Sequence, residues 1–267
     1  MMRSLWTAAS GMKAMQFSID TISNNLANVS TTGYKKEKAE FEDLLYVTMQ
    51  KAYSGENDQR PVNLQVGHGV VTRATVRDFA SGNLEQTSNK LDMAIVGDAF
   101  FTVRGADGNT YYTRDGSFKV GMTDEGKMLT NSSGYPVLDQ DGIEIYLDYD
   151  LDSYEIQPSG EIMYKDPETG IGLTTGQFIG LFQFENPQGL EAMGGNLYKS
   201  NGATGEAVLD SDTDSPSTIR NYFLESSNVQ VVEEMVKLIT AQRAYELNSK
   251  AITTSDEMLQ TANNLRR

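Results

Sequence analysis

No cysteine occurs anywhere in the 267 residues, which removes disulfide staples, thiolate metal ligands and thiol nucleophiles together. An extracytoplasmic life is compatible with that absence, though it does not follow from it. Histidine is almost as scarce. His68, in the run VGHGV, stands alone, with no second imidazole for a metal pair and no nucleophile motif beside it, so a turn or surface role is expected. Also lacking is any apolar run near the ~18 residues that a membrane-spanning helix requires. The opening MMRSLWTAASGMK is interrupted by Ser4, Thr7, Ser10 and Gly11, which leaves no apolar core for a cleavable signal. Neither membrane insertion nor ordinary secretion is expected.

Basic charge is thin where it would matter for nucleic acid. The net charge is -15; residues 1 to 38 carry +3 and residues 225 to 267 carry -1, which leaves -17 in between. A middle that acidic is repelled by phosphate backbones, so nucleic acid is not an expected partner. At 39% hydrophobic and 22% charged residues the chain can bury an ordinary core, and its length suggests one main body with a smaller accessory domain.

What is present begins with periodicity. Leu5, Met12, Ile19 and Leu26 recur every seven residues, and Ala8, Met15, Ile22 and Val29 recur in step three positions later. That a/d stripe predicts a helix running toward Gly33, roughly 40 Å long and suited to left-handed supercoiling. Near the other end Leu224, Val231, Leu238, Tyr245, Ile252 and Leu259 are again seven apart, flanked by a small column of Ala241, Asn248, Ser255 and Ala262. Small residues there let a partner helix approach closely. Ser227 and Gln230 have capping-box spacing, which places this second helix from about Val229 to Leu265.

Between the helices the apolar runs shorten to strand length: Met93 to Val96, Phe100 to Val103, Tyr111 to Thr113, Ile143 to Leu147 and Phe178 to Phe184. Turn dipeptides punctuate them, among them Asp107-Gly108, Ser133-Gly134, Asp141-Gly142 and Ser159-Gly160. The expected fold class is α+β, an all-β central domain inserted between N- and C-terminal heptad helices that pair as an α-helical coiled coil. The expected division is a helical assembly domain from residues 1–38 plus 221–267, an extended connector at 39–66 and a β-rich outer domain at 67–220. Ser211 to Ser217 (SDTDSPS) reads as a hinge on the return path.

Paired only with each other, the two stripes make a helical hairpin that caps the β domain. Trp6 and Phe17 point beyond that, because they fall off the a/d stripe at heptad positions b and f. Aromatics there, worth about 1.5 to 3 kcal/mol each on full burial, imply contact with neighbouring molecules. Repeated head to tail, such contacts build an open helical filament. Frayed termini are expected in the free monomer, since long helices with little to bury against are marginal in water.

Enzyme chemistry finds little support. Asp148, Asp150 and Asp152 have calcium-loop spacing, but Ser153 replaces the turn glycine and Ser159 the closing glutamate; Asp210, Asp212 and Asp214 fail the same test at Ser215 and Asn221. Both read as solvated acidic faces. Gly67-His68-Gly69 is a fragment of a dinucleotide loop, with Thr72 where the last glycine belongs. No catalytic residue, cofactor or metal site is expected. The rival from another class is a cell-wall hydrolase or glycan-binding module, for which thirty-seven carboxylates supply pairs but nothing selects one.

The segment Ile22 to Lys35, ISNNLANVSTTGYK, closely resembles the N-terminal signature of the flagellar basal-body rod and hook proteins. The resemblance continues through Lys38 to Tyr46, Gly82 to Val103, Tyr111 to Phe118 and Gly195 to Ala207, and ends with residues 226 to 260, so it covers nearly the whole chain. The opening RSLWTAASGM, the EFEDLLY segment, the overall length and a polar insert at Val47 to Leu64 are most similar to the family's distal rod branch. Two departures stand out: Ala99 takes the place of a family glycine in GDAFF, and the acidic stretch Tyr146 to Tyr154 matches no family pattern.

The resemblance implies a structural subunit that polymerises helically with itself into a torque-transmitting rod. Terminal helices would form an inner tube around an export channel, with the β domains outside. It implies neighbouring rod and hook proteins, the flagellar export apparatus and outer-envelope rings as partners. It implies an extracytoplasmic place in the basal body, reached without a cleavable signal peptide. Asn24, Asn25 and Asn28 lie in the signature; they either bond local backbone at the helix end or help lock neighbouring subunits. The expected assembly interface is Leu5, Trp6, Met12, Met15, Phe17, Ile19, Ile22, Asn24, Asn25, Leu26 and Asn28 with Val231, Leu238, Tyr245, Ile252 and Leu259.

Overall fold

A computed structural model describes residues 2–51, 53–54, 59–60, 62–123, 126–147, 149, 153–165, 172–213 and 215–264. The protein is α+β, with two long helices and a large β-rich region. It divides into two compact units between which the chain passes repeatedly: 1–27, 37–77 and 230–267 form the first, 28–36 and 78–229 the second.

The first unit holds helix α1 (Met2–Ala27) and helix α2 (Val231–Asn264). α1 stops short of the expected Gly33. Residues 28–33 instead form turns, with the Thr31 amide donating to the Asn28 carbonyl. Asn28, Ser30, Thr31 and Thr32 offer the backbone competing side-chain bonds, so the continuing heptad of Val29 is overruled. At the start of α2 the capping box does not form. Ser227 Oγ accepts from the Val229 amide, and the helix opens two residues late, with the Gln230 carbonyl taking the Glu234 amide. Glu233 and Glu234 then sit in the first turn, where carboxylates favour the helix dipole.

Residues 39–66, expected as an extended connector, carry strands. Glu37–Asp43 pairs antiparallel with Val70–Arg77, with a bulge between Glu40 and Phe41, and Tyr46–Gln50 pairs with Leu64–Gly67. A long β-ribbon results. The ion pair of Arg77 with Glu37 closes its base, and His68 is exposed in the turn between its last two strands.

The second unit is built on a six-stranded sheet in the order Glu191–Gly194, Leu197–Lys199, Thr110–Thr113, Phe100–Arg104, Leu181–Gln183, Val208–Leu209. A three-stranded sheet of Tyr154–Ile156, Glu161–Lys165 and Gly172–Phe178 and several two-stranded ribbons complete it. The paired Phe100 and Phe101 explain how one sheet serves two cores. Successive strand residues face opposite sides, so Phe101 joins Met93, Ile95, Phe118, Leu129 and Ile162, while Phe100 joins Tyr112, Phe184, Leu190 and Tyr198. Edge-on ring contacts such as Tyr112 with Phe184 at 4.7 Å order the second cluster.

The run Ile143 to Leu147 forms only isolated bridges, and Phe178 to Phe184 is broken at Ile179–Gly180 between two strands. Ser211 to Ser217 is no loose hinge. Asp210 is buried there, and its carboxylate accepts from the Ser217 amide at 2.7 Å, Ser217 Oγ at 2.9 Å and Gln183 Nε2 at 2.6 Å. That corrects the solvated reading of Asp210. Asp148, Asp150, Asp152 and Asp214 lie outside the described residues.

Candidate assembly surface

Within the first unit α1 and α2 pack side by side along their smallest residues. Ala8, Ala14, Thr21, Ile22 and Asn25 are buried on α1, and Glu234, Ala241 and Ser255 on α2. The helices run antiparallel, since Gly11 faces Asn248 near one end and Asn25 bonds Glu234 near the other. A Cβ on Gly11 would stand 3.0 Å from Asn248 Nδ2, so a larger residue there would require the Asn248 side chain to shift.

Asn25 is the polar fixture of the seam. Its Nδ2 donates to the Glu37 carbonyl at 2.8 Å and to Glu234 Oε2 at 3.2 Å, and its Oδ1 accepts from the Glu37 amide at 2.9 Å. Lys237 Nζ completes the group on Glu234 Oε1 at 2.6 Å. Asn28 bonds locally, accepting from Thr31 Oγ1, and Asn24 is exposed.

The heptad residues flank this seam. Leu5, Met12, Met15, Ile19 and Leu26 on α1 and Leu238, Ile252 and Leu259 on α2 are half-buried; Ile22 is buried; Val231 and Tyr245 are exposed. Trp6 is 74% exposed and Phe17 is at the surface. The fully buried positions of the seam are therefore mainly small, the large heptad residues line it half-buried, and Trp6, Val232, Val236 and Leu247 face outward. Sequence reasoning missed Val232, Met235, Val236, Ile239 and Leu247, all exposed on α2, and Leu45, Tyr46, Met49, Val62 and Leu64, exposed on the ribbon. Val232, Val236 and Ile239 recur at helical spacing, a signal that was visible but was masked by the stronger seven-residue column.

In the second unit the signature segment is held by buried charge. Lys35, Arg114 and Glu225 are each 1% exposed. Lys35 Nζ donates to Glu225 Oε1 at 2.7 Å and to the Ala80 carbonyl at 2.9 Å, and the same carboxylate oxygen accepts from the Gly82 amide at 2.8 Å. Arg114 Nη1 donates to the Gly97 carbonyl at 2.9 Å and stands 3.7 Å from Glu225 Oε2, with its guanidinium 4.8 Å from the centre of the Phe100 ring. Burial lowers the pKa of Lys35, with Glu225 opposing, and acts on Arg114 in the same way.

Gly33 makes this possible. Its φ is +68°, and an added Cβ would meet the Asp115 amide nitrogen at 2.7 Å. Ala99, by contrast, is fully buried without strain, its amide donating to Ser217 Oγ. Among the described residues no group of three or more His, Asp or Glu could hold a metal ion, and no helix is long and apolar enough to cross a membrane.

Comparison with known proteins meets this surface directly. The family model described as "Flagella basal body rod protein" matches residues 5–35, "Flagellar hook protein FlgE/F/G D1 domain" matches 94–164, and "Flagellar basal body rod FlgEFG protein C-terminal" matches 220–265. The chain is 46% identical over 270 residues to the flagellar basal-body rod protein FlgG of Borreliella burgdorferi, with all of both chains covered. The chain belongs to the flagellar basal-body rod and hook family. A second rod-and-hook relative, the FlgG of Bacillus subtilis, is 37% identical over 270 residues, and the hook-basal body complex protein FlhP of the same organism is 32% identical over 276, both with full coverage. Two of the family models fall on α1 with the signature loop and on α2, where the seam and the exposed Trp6, Val232, Val236 and Leu247 lie.

Proposed function

We propose that this chain is a structural subunit of the flagellar basal-body rod that polymerises with copies of itself through α1 and α2. The carrying observation is the mismatch in the first unit, whose seam is lined by small side chains while Trp6, Val232, Val236 and Leu247 remain outside. Burying a large apolar side chain is worth about 1.5–3 kcal/mol, and contiguous exposed apolar surface marks an interaction site. Pairing of the terminal helices as a coiled coil would be completed in the polymer, where Leu5, Met12, Ile19 and Leu26 meet Leu238, Tyr245, Ile252 and Leu259 of symmetry mates.

In this reading residues 1–38 and 221–267 carry assembly, 39–66 is the rod-specific insert and 67–220 lies outside around an export channel. The subunit transmits torque, catalyses nothing, and meets neighbouring rod and hook proteins, the export apparatus and envelope rings. It reaches its extracytoplasmic place without a cleavable signal. Electron microscopy of the purified chain across a concentration series tests the proposal: straight tubes are expected, and a particle that stays monomeric at every concentration refutes it.

A further inference from the structure

The second unit holds a cleft of about 270 Å³ that the rod reading leaves unused. One wall is the outer strand Tyr154–Ile156 of the three-stranded sheet, with Ser153 before it, and the other is the turn at Asn221 and Tyr222. Ser153 and Tyr154 end the acidic stretch that departs from the family pattern. The Tyr149 amide donates to Tyr154 Oη at 3.0 Å, and the Tyr149 ring stacks on Tyr164 at 3.9 Å, so the same stretch braces this wall.

Three features distinguish the cleft from an ordinary surface depression. Lys90 and Lys165 both line it, bringing two ammonium groups to a strongly acidic part of the chain. Asn221 donates its Nδ2 to the Ile156 carbonyl, which fixes the orientation of the amide and leaves Oδ1 buried with no hydrogen-bond partner among the described residues. Tyr222 has φ +64°, a conformation that residues other than glycine rarely adopt. It is held there by its amide donating to the Asp92 carbonyl at 2.9 Å and its carbonyl accepting from the Thr87 amide at 2.7 Å. Strain of that kind persists only where the surroundings over-determine it, and it gathers at binding sites.

We propose that this cleft binds a single sugar acid, its carboxylate held by Lys90 and Lys165 and its hydroxyls donating to Asn221 Oδ1 and Glu155. The site goes beyond the rod reading and does not depend on it. A carboxylate gains charge-assisted bonds from ammonium donors, and a ring hydroxyl supplies the donor that the amide oxygen lacks. Tyr222, exposed at the cleft, offers an aromatic face to the C–H side of the ring. The volume lies below the ~300–1,000 Å³ of sites for drug-sized ligands, which suits one ring and not a chain. Polyanions are repelled by the acidic surroundings. Addition of a peptide strand is blocked at the Ile156 carbonyl, which Asn221 already occupies.

The test titrates the full chain in dilute solution with sodium glucuronate and follows saturation transfer from protein to ligand. Binding with a Kd on the order of 1 mM is expected. Glucose, which carries CH2OH where glucuronate carries its carboxylate, is expected to bind at least about tenfold more weakly, as is glucuronate to Lys165→Ala. Tyr222→Gly separates binding from folding. Glycine adopts positive φ readily, so this variant should melt at or above the temperature of the unmodified chain while binding glucuronate roughly tenfold more weakly. Methyl glucuronide, capped as a glycan-linked residue is, identifies the source: its binding alongside glucuronate assigns a sugar acid borne on a glycan, and binding of glucuronate alone assigns a free one. No transfer up to about 20 mM glucuronate, equal binding of glucose, unchanged binding in either variant, or tighter binding of an alanyl-glutamate dipeptide overturns the proposal.

Discussion

The two compact units place their apolar residues in opposite ways. In the second unit Met93, Phe101, Phe118, Ile145 and Ile179 are sealed in the core and even three charges are buried together. Among the described residues of the first, Ala8, Ala14, Ile22 and Ala241 are the buried apolar residues, whereas Trp6, Leu45, Val232 and Leu247 face outward. A unit that completes its own core is stable alone. One that leaves large residues outside and small ones within draws little from folding by itself, because stabilisation scales with the apolar area removed from water.

The largest expected difference is kinetic. Limited proteolysis of the free chain should trim α1 and α2 orders of magnitude faster than it cleaves residues 78–213, since cleavage follows the local opening equilibrium. Equal resistance along the chain would erase the contrast.

Next in size is Glu225→Gln, which leaves Lys35 and Arg114 buried without their shared countercharge. A loss of about 3–5 kcal/mol in the second unit is expected by denaturant unfolding, with the helical signal of α1 and α2 following a separate transition. A single unchanged transition would show that the charge cluster contributes nothing.

Phe17→Ser should do the reverse, weakening assembly by about 1–2 kcal/mol per contact while shifting the unfolding midpoint of the second unit negligibly. Normal rods and motility from that variant would remove Phe17 from the interface.

The smallest effect concerns pH. Burial lowers the Lys35 pKa, so between the folded and the ordinary lysine values the unfolded chain binds more protons and stability rises with pH. Wild type should therefore gain on Lys35→Met as pH climbs through that window, by at most about 1.4 kcal/mol per pH unit. A flat difference would place Lys35 outside the titrating group.

Much of this was legible beforehand. The helices were visible as seven-residue stripes, and the strand-and-turn character of the middle was visible in its Gly-containing dipeptides. Trp6 and Phe17 were placed outside the seam by their heptad positions, and both are exposed. The seam was visible only in part. The small column of Ala241, Asn248 and Ser255 pointed to close approach, and Ala241 and Ser255 are buried, while the Leu and Ile columns lie half-buried beside them. The exposed apolar stripe of Val232, Val236 and Ile239 was missed because the seven-residue column on the same helix is the stronger pattern.

The partners of Lys35, Arg114 and Glu225 had no local signal at all. They are separated by up to 190 positions, and periodicity reports only neighbours on one element. The turns after Ala27 and the buried role of Asp210 were likewise decided by side-chain competition and by distant donors.

By itself the sequence determined the family, the two terminal helices, the β-rich middle and the absence of thiol chemistry, because composition, period and turn residues act locally and survive in one dimension. The tertiary structure alone decided which helix faces meet, which large residues stay outside, and where the buried charges find partners. Those outcomes depend on how closely two backbones approach and on contacts between residues far apart in the chain, and no local pattern encodes either.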